Sequence, residues 1–97
     1  MTKSESLLVR RILKTLNGHP KIKAIKIHGS PYMEIGTPDI IGCYNSQMFV
    51  FEVKMDDGKV SNIQLKRLGE WSAVGAIAYV IRSVDEAFEK LGVENNG

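Results

Sequence analysis

Residues 39–55 read DIIGCYNSQMFVFEVKM. Two runs rich in Ile, Val, Phe and Tyr flank Asn45-Ser46, which predicts a β-hairpin with strands over about 39–44 and 47–55. A symmetric turn between Asn45 and Ser46 pairs Tyr44 with Gln47, Gly42 with Phe49, and Asp39 with Glu52. Directly opposed residues share a face, with Cβ atoms about 4.5–5.5 Å apart. Lys54, two residues past Glu52, lies on that face too. Phe49, Phe51, Val53 and Met55 make the second strand too apolar for full solvation. Charges at Glu52 and Lys54 are costly there unless they are paired or bound to metal. Facing carboxylates repel, and each tends to hold a proton. A divalent cation removes that conflict. Asp39 and Glu52 offer the hard oxygen donors that Mg²⁺ prefers, with room left for waters and a phosphate. The plainer reading of the same residues is an exposed Asp39 and a Glu52–Lys54 pair at a sheet edge.

Working outward, Asp56, Asp57 and Gly58 end the hairpin, and Ser61 and Gln64 open a helix with capping-box spacing. Its apolar face includes Ile63, Leu68 and Trp71, and Gly75 fits its end. Residues 76–82 form an apolar strand. Ser83 and Glu86 cap a short last helix carrying Val84, Ala87, Phe88 and Leu91, closed by Gly92. A strand, helix and strand in that order form a crossover unit, which makes the two strands parallel. Upstream, residues 3–17 read as a helix with Thr2 and Glu5 at capping-box spacing and a stripe of Leu8, Val9, Ile12 and Leu16. Gly18, His19 and Pro20 stop it. Residues 22–28 favour a strand, with Ile25 and Ile27 on one face and Lys26 and His28 on the other. A loop rich in Gly and Pro covers about 29–38. The expected fold is α/β: an αβββαβ core followed by a helix, with a mixed four-stranded sheet flanked by helices.

The chain has 97 residues, opens with Met, and is expected to be one complete domain, 1–97, with one modest core. No apolar run approaches the roughly 18 residues of a membrane span, and no signal peptide opens the chain. Cys43 is the only cysteine, which excludes an internal disulfide and deprives a zinc site of its usual thiolates. These features fit a reducing cytoplasm. Net charge is only +2, yet Lys21, Lys23 and Lys26 cluster together while Asp85, Glu86, Glu89 and Glu94 lie near the C-terminus. That division is compatible with an anionic ligand on one face, or with a solvated surface.

Four further positions carry two readings each. Glu5 heads the apolar stripe of its helix, so it either supports the carboxylate site or completes the cap with Thr2. Gln64 either caps with Ser61 or points toward the Glu52–Lys54 face. His28 either meets a phosphate or is an ordinary surface residue. Trp71, at helical spacing, is expected in the core rather than as a base-stacking platform.

With Asp39, Glu52-Val53-Lys54 and the αβββαβ order, the sequence resembles the PD-(D/E)xK nuclease superfamily. Glu5 in the first helix, Gly36-Thr37-Pro38-Asp39, Phe51-Glu52-Val53-Lys54, and Gly58 to Gln64 look like its VRR-NUC family. Residues 75–83, a glycine and an apolar strand ending in Arg82-Ser83, also fit, so the resemblance spans about residues 4–88. It implies a restriction-endonuclease-like fold and Mg²⁺- or Mn²⁺-dependent cleavage of structured DNA. Members occur as small stand-alone proteins in phages and bacteria, and as the nuclease domain of a larger eukaryotic DNA-repair protein. The stand-alone type resembles dimeric Holliday-junction resolvases. By position, Asp39 and Glu52 would bind metal with the Val53 carbonyl as third ligand. Lys54 would orient or polarise water, and Glu5 and Gln64 would support the site.

The expected function is therefore a metal-dependent endonuclease acting on branched DNA as a homodimer, with no organic cofactor. Lys21, Lys23, Lys26, His28, Lys59, Lys66 and Arg67 are the expected DNA contacts, which would position the backbone without reading sequence. The alternatives are a non-cleaving DNA-binding module of the same fold and a small protein-interaction domain. Tyr32, Met33 and Ile35 are unusual in a solvent loop. The loop from Pro31 to Ile35 is expected either to contact a second subunit or to fold back onto its own core.

Overall fold

The computed structural model describes residues 2–95. Its elements run α1 (Lys3–Asn17), β1 (Ile22–Lys26), β2 (Ile40–Tyr44), β3 (Gln47–Val53), α2 (Asn62–Ala73), β4 (Ile77–Ile81) and α3 (Val84–Leu91). The strands form one mixed sheet in the order β1-β2-β3-β4, with β3 and β4 parallel and the other pairs antiparallel. The αβββαβα order and the parallel crossover agree with the sequence reading, and the strands are each one or two residues shorter than expected.

Local chemistry accounts for the element boundaries. Thr2 and Ser61 each complete a capping box, with Glu5 and Gln64 respectively. Ser83 accepts the Glu86 N–H, but the Glu86 carboxylate turns to the Arg82 N–H at 2.8 Å instead of closing a box. Asn45 and Ser46 both have positive φ, 46° and 74°. Such a turn matches the twist of its flanking strands and holds the pairing Tyr44↔Gln47, Gly42↔Phe49 and Ile40↔Phe51.

The main core lies between the sheet and the pair α1 and α3. Val9, Ile12, Leu16, Ile40, Phe49, Phe51, Val53, Ile81, Ala87, Phe88 and Leu91 meet there. Helix α2 covers β3 and β4 from the opposite side, where Val50 and Leu68 are buried. Trp71, expected in the core, is only half-buried on α2. The faces of β1 divide Ile25 from Lys26 as the alternation predicts, and the face that packs is the one without Ile25. Ile22 and Ala24 are buried beneath α1, with Lys26 on the same side, while Ile25 is 51% exposed. Ile25 faces the α2 side, but α2 packs mainly over β3 and β4 and leaves Ile25 half exposed. The outer edge of β1 is closed at Ala24, whose N–H and C=O both pair with the Asn17 side-chain amide at 2.8 and 2.9 Å.

Gly42 is required by packing. A Cβ there would collide with the Phe49 ring and come within 2.6 Å of the Lys23 carbonyl oxygen in the neighbouring strand. Gly42→Ala should therefore destabilise the protein by about 1–3 kcal/mol, the usual size of an overpacking penalty. Urea unfolding checks it, and an unchanged midpoint would show that Phe49 can move aside.

Candidate active site

Asp39 lies one residue before β2. Its carbonyl oxygen accepts the Ile27 N–H at 2.7 Å, which fixes its backbone against the end of β1. The ladder between β2 and β3 ends at Ile40↔Phe51. Beyond that rung the Asp39 side chain takes over, its Oδ2 accepting the Val53 N–H at 2.8 Å. This holds the carboxylate across from Glu52, where the symmetric hairpin register puts it.

Glu52 is the one charged residue buried among those described, 3% exposed on the α2 side of the central strand β3. Its Oε2 accepts from Gln64 Nε2 at 3.2 Å and lies 3.7 Å from Lys54 Nζ. Burial, followed by the Asp39 charge and a hydrogen bond to Asp39, pushes the Glu52 carboxyl up to about 8. Lys54 pulls it down and Glu5 adds a smaller upward push. Two carboxylates, one of them desolvated, thus stand against a single lysine.

Gln64 fills both of its expected roles. An amide has an acceptor end and a donor end, so Oε1 accepts the Ser61 N–H at 3.0 Å while Nε2 reaches Glu52. Gln64→Glu would keep the cap but aim a carboxylate oxygen at Glu52 Oε2. We expect metal-free stability at pH 8 to fall by roughly 1–3 kcal/mol, the usual cost of losing a hydrogen bond to a buried charged group. Divalent metal should restore part of the loss. Thermal melts with and without metal test this, and no loss of stability in the metal-free protein would assign Gln64 to capping alone. Glu5 takes its capping conformation, with Oε1 3.4 Å from the Thr2 N and 3.2 Å from Thr2 Oγ1. Its charge adds the smallest of the upward pushes on the Glu52 carboxyl.

The expected cationic contacts divide. Lys26 lines an open cleft of about 340 Å³ together with Asp39, Thr37 and the loop of residues 29–36. His28 is exposed just beyond β1. Lys21 and Lys23 lie toward the far end of the strand: Ile22 pairs with Tyr44, whereas Ile27 pairs with Asp39. At about 3.3 Å per residue, that sets Lys21 some 20 Å from Asp39 along the sheet. Lys59 and Lys66 are exposed. Arg67 is engaged elsewhere, its Nε donating to the Ile35 carbonyl at 2.9 Å and pairing with Glu34 at 3.1 Å, while NH1 pairs with Glu70. It ties the loop before Asp39 to α2. Gly36 allows the same approach: its φ is +83°, and a Cβ there would lie 3.0 Å from Ile63.

Sequence reasoning assigned no role to Arg82. Its NH1 donates to the carbonyl oxygens of Met55, Asp56 and Gly58, clamping the turn between Lys54 and α2. The only signal in the chain was an arginine ending an otherwise apolar strand. Among the described residues no group of three or more His, Cys, Asp or Glu side chains gathers into a metal cluster. The donors in reach of one another are the Asp39–Glu52 pair and the backbone beside it.

A solved VRR_NUC domain matches this structure with a TM-score of 0.74, covering 94% of this chain and 97% of that one at 16% identity. The fold is that of a VRR_NUC domain. A second VRR_NUC domain protein matches at TM-score 0.70 and 15% identity over 95% of this chain and 88% of its own. The Holliday junction resolvase Hjc from the archaeal hyperthermophile Archaeoglobus fulgidus matches at 0.64 and 24% identity, over 80% of this chain and 67% of that one. No protein-family model and no curated protein matches the sequence. The VRR_NUC neighbours agree with the restriction-endonuclease-like fold that the motifs implied. At these identities the likeness lies in the path of the backbone.

Proposed function

We propose that the protein is a divalent-metal-dependent endonuclease that hydrolyses DNA phosphodiester bonds in branched DNA. The observation that supports it most is the buried Glu52 carboxyl, facing Asp39, with Lys54 as its only cationic neighbour among the described residues. The donor set fits Mg²⁺ or Mn²⁺: two hard carboxylates whose mutual repulsion a dication would relieve, beside the Val53 backbone. Asp39, Glu52 and the Val53 carbonyl would hold the ion. Such an ion acidifies water and offsets charge developing on phosphate oxygens.

The protein's own groups supply the rest. Lys54 places a positive charge where the attacked phosphate would lie. Gln64 fixes the rotamer of Glu52, and Glu5 adjusts its proton affinity. Lys26, at the cleft's rim with its side chain on the α1 face, and the exposed His28 meet the flanking backbone. Lys59 and Lys66 offer further backbone contacts, and the more distant Lys21 and Lys23 serve a long substrate. Arg67 acts on DNA through the loop it holds. If Glu5 serves the site by its charge, Glu5→Gln alters cleavage while leaving the cap, and the melting temperature, intact.

One 97-residue unit carries one such site. Paired cuts across a two-fold symmetric junction therefore call for a two-fold dimer. We assign it to the cytoplasm. The resolvase named among the structural neighbours supports the branched-DNA reading. No helix among the described residues is long and apolar enough to cross a membrane.

The test is a panel of labelled junctions, flaps, single strands and duplexes with Mg²⁺, Mn²⁺ or EDTA, run beside sedimentation. Cleavage only with metal, and paired nicks in the junction by a dimer, are the expected results. DNA binding without cleavage in either metal would make the protein a binding module. Junctions cut no better than linear duplex would remove the resolvase reading alone.

A further inference from the structure

The loop between β1 and β2 combines a rigid frame with two uncovered apolar side chains. Tyr32 is 98% exposed and Ile35 75% exposed, whereas Met33 turns inward to line the cleft shared by Lys26 and Asp39. Isolated apolar side chains on a surface are common and carry no message by themselves. Three observations set these two apart.

The first is that both limbs of the loop are tied down. The Tyr32 N–H donates to Ser30 Oγ at 3.2 Å and the Met33 N–H to the Ser30 carbonyl at 3.1 Å. Thr37 Oγ1 donates to the Glu34 carbonyl at 2.6 Å, and Arg67 holds Glu34 and Ile35 from α2. The ring is thus held out by a built scaffold. The second is position: Ile35 itself lines the Asp39 cleft, so the loop forms its wall. The third is charge. Lys54 stands on the same face of the sheet as Asp39 and Glu52, and a cation in a site with an apolar surface at its wall suits a ligand with an anionic backbone and planar faces.

We propose that Tyr32, on the loop whose Met33 and Ile35 line the cleft, is a stacking platform for an unpaired nucleobase next to the phosphate held at Asp39 and Glu52. This rests on the DNA-nuclease reading and deepens it. Every base has a π face, so stacking on Tyr32 is indifferent to sequence. It does discriminate by structure, because a fully paired duplex keeps its bases stacked on one another and has none to offer. The loop supplies a chemical reason for preferring DNA with unpaired or splayed bases. Tyr32 is committed to the base rather than to a second subunit, because its loop is one wall of the candidate active site.

The experiment compares wild type, Tyr32→Phe and Tyr32→Ala in EDTA, so that binding is read without cleavage. Two labelled DNAs of equal length are used, one fully paired and one with a bulge of unpaired adenines, one of them replaced by 2-aminopurine. With Tyr32 nearly fully exposed, neither substitution should move the melting temperature. Wild type and Tyr32→Phe should favour the bulged DNA and quench 2-aminopurine. Tyr32→Ala should bind the bulged DNA about tenfold or more weaker, with no quench and unchanged duplex affinity. Equal binding of the bulged DNA by Tyr32→Ala overturns the proposal. So does an equal loss on both DNAs, or a shift from dimer to monomer that accounts for the change. Cleavage in Mn²⁺ separates this from the parent reading. A wild type that stacks the bulge but cuts nothing sinks the nuclease and keeps the platform. One that cuts equally well with Ala at position 32 sinks the platform alone.

Discussion

Asp39→Asn and Glu52→Gln should each lose cleavage by on the order of a thousandfold, and Lys54→Met by on the order of a hundredfold or more, in line with removing one charge-stabilising group from a transition state. Folding should survive all three. Asn at position 39 can still accept the Val53 N–H that Asp39 Oδ2 takes at 2.8 Å. Gln at position 52 can still accept from Gln64 and no longer buries a charge. Lys54→Met deletes the one cation beside Glu52 among the described residues, so this variant alone should leave Glu52 more firmly protonated. It should therefore need more metal or a higher pH for whatever activity remains. Initial rates on a labelled junction across a metal titration give the measurement. Rates within a few-fold of wild type for any one variant would remove that residue from the chemistry. Near-wild-type rates for both Asp39→Asn and Glu52→Gln would move the active site elsewhere.

The second large effect is on the pH dependence of stability. The Glu52 carboxyl is raised from 4.5 to about 8 in the fold, so between those values the folded protein binds more protons than the unfolded chain. Stability tied to this group is complete below the unfolded value, declines as pH rises, and is gone above the folded value. A shift of this size corresponds to a few kcal/mol, or about 10 °C or more of melting temperature for a domain this small. In EDTA, wild type should therefore melt progressively below Glu52→Gln between pH 5 and pH 9. Divalent metal requires the carboxylate, so it should raise the melting temperature little at pH 5 and strongly at pH 8.5. Asp39→Asn should blunt the metal effect. Parallel pH profiles for wild type and Glu52→Gln in EDTA would mean that Glu52 is ionised in the fold without metal.

Much of this architecture was legible from the chain because it depends on neighbours close in sequence. The hairpin register follows from two turn residues and strict alternation, and it carried the facing of Asp39 and Glu52 with it. The capping boxes at Thr2 and Ser61 are settled within three residues. The parallel pairing of β3 and β4 follows from one intervening helix and the handedness of crossovers. Periodicity also showed which residues of α1 and α3 are apolar toward the core.

What the sequence could not determine depends on how far one element reaches over another. Ile25 and Ala24 are both apolar, and only the reach of α1 and α2 decides that Ala24 is buried and Ile25 is bare. Arg67 and Arg82 look like any other surface cations. Arg67 finds its carbonyl partner 32 residues away and Arg82 its partners 24 to 27 residues away, separations at which no local pattern operates. Glu52 is a carboxylate in every reading, but its raised proton affinity comes from burial, and burial exists only once α2 closes over β3 and brings Gln64 to it. Local propensity and turn chemistry determined the elements and their register. Tertiary packing determined which charges are buried, which arginines are occupied, and which side chains, such as Tyr32, are left facing outward.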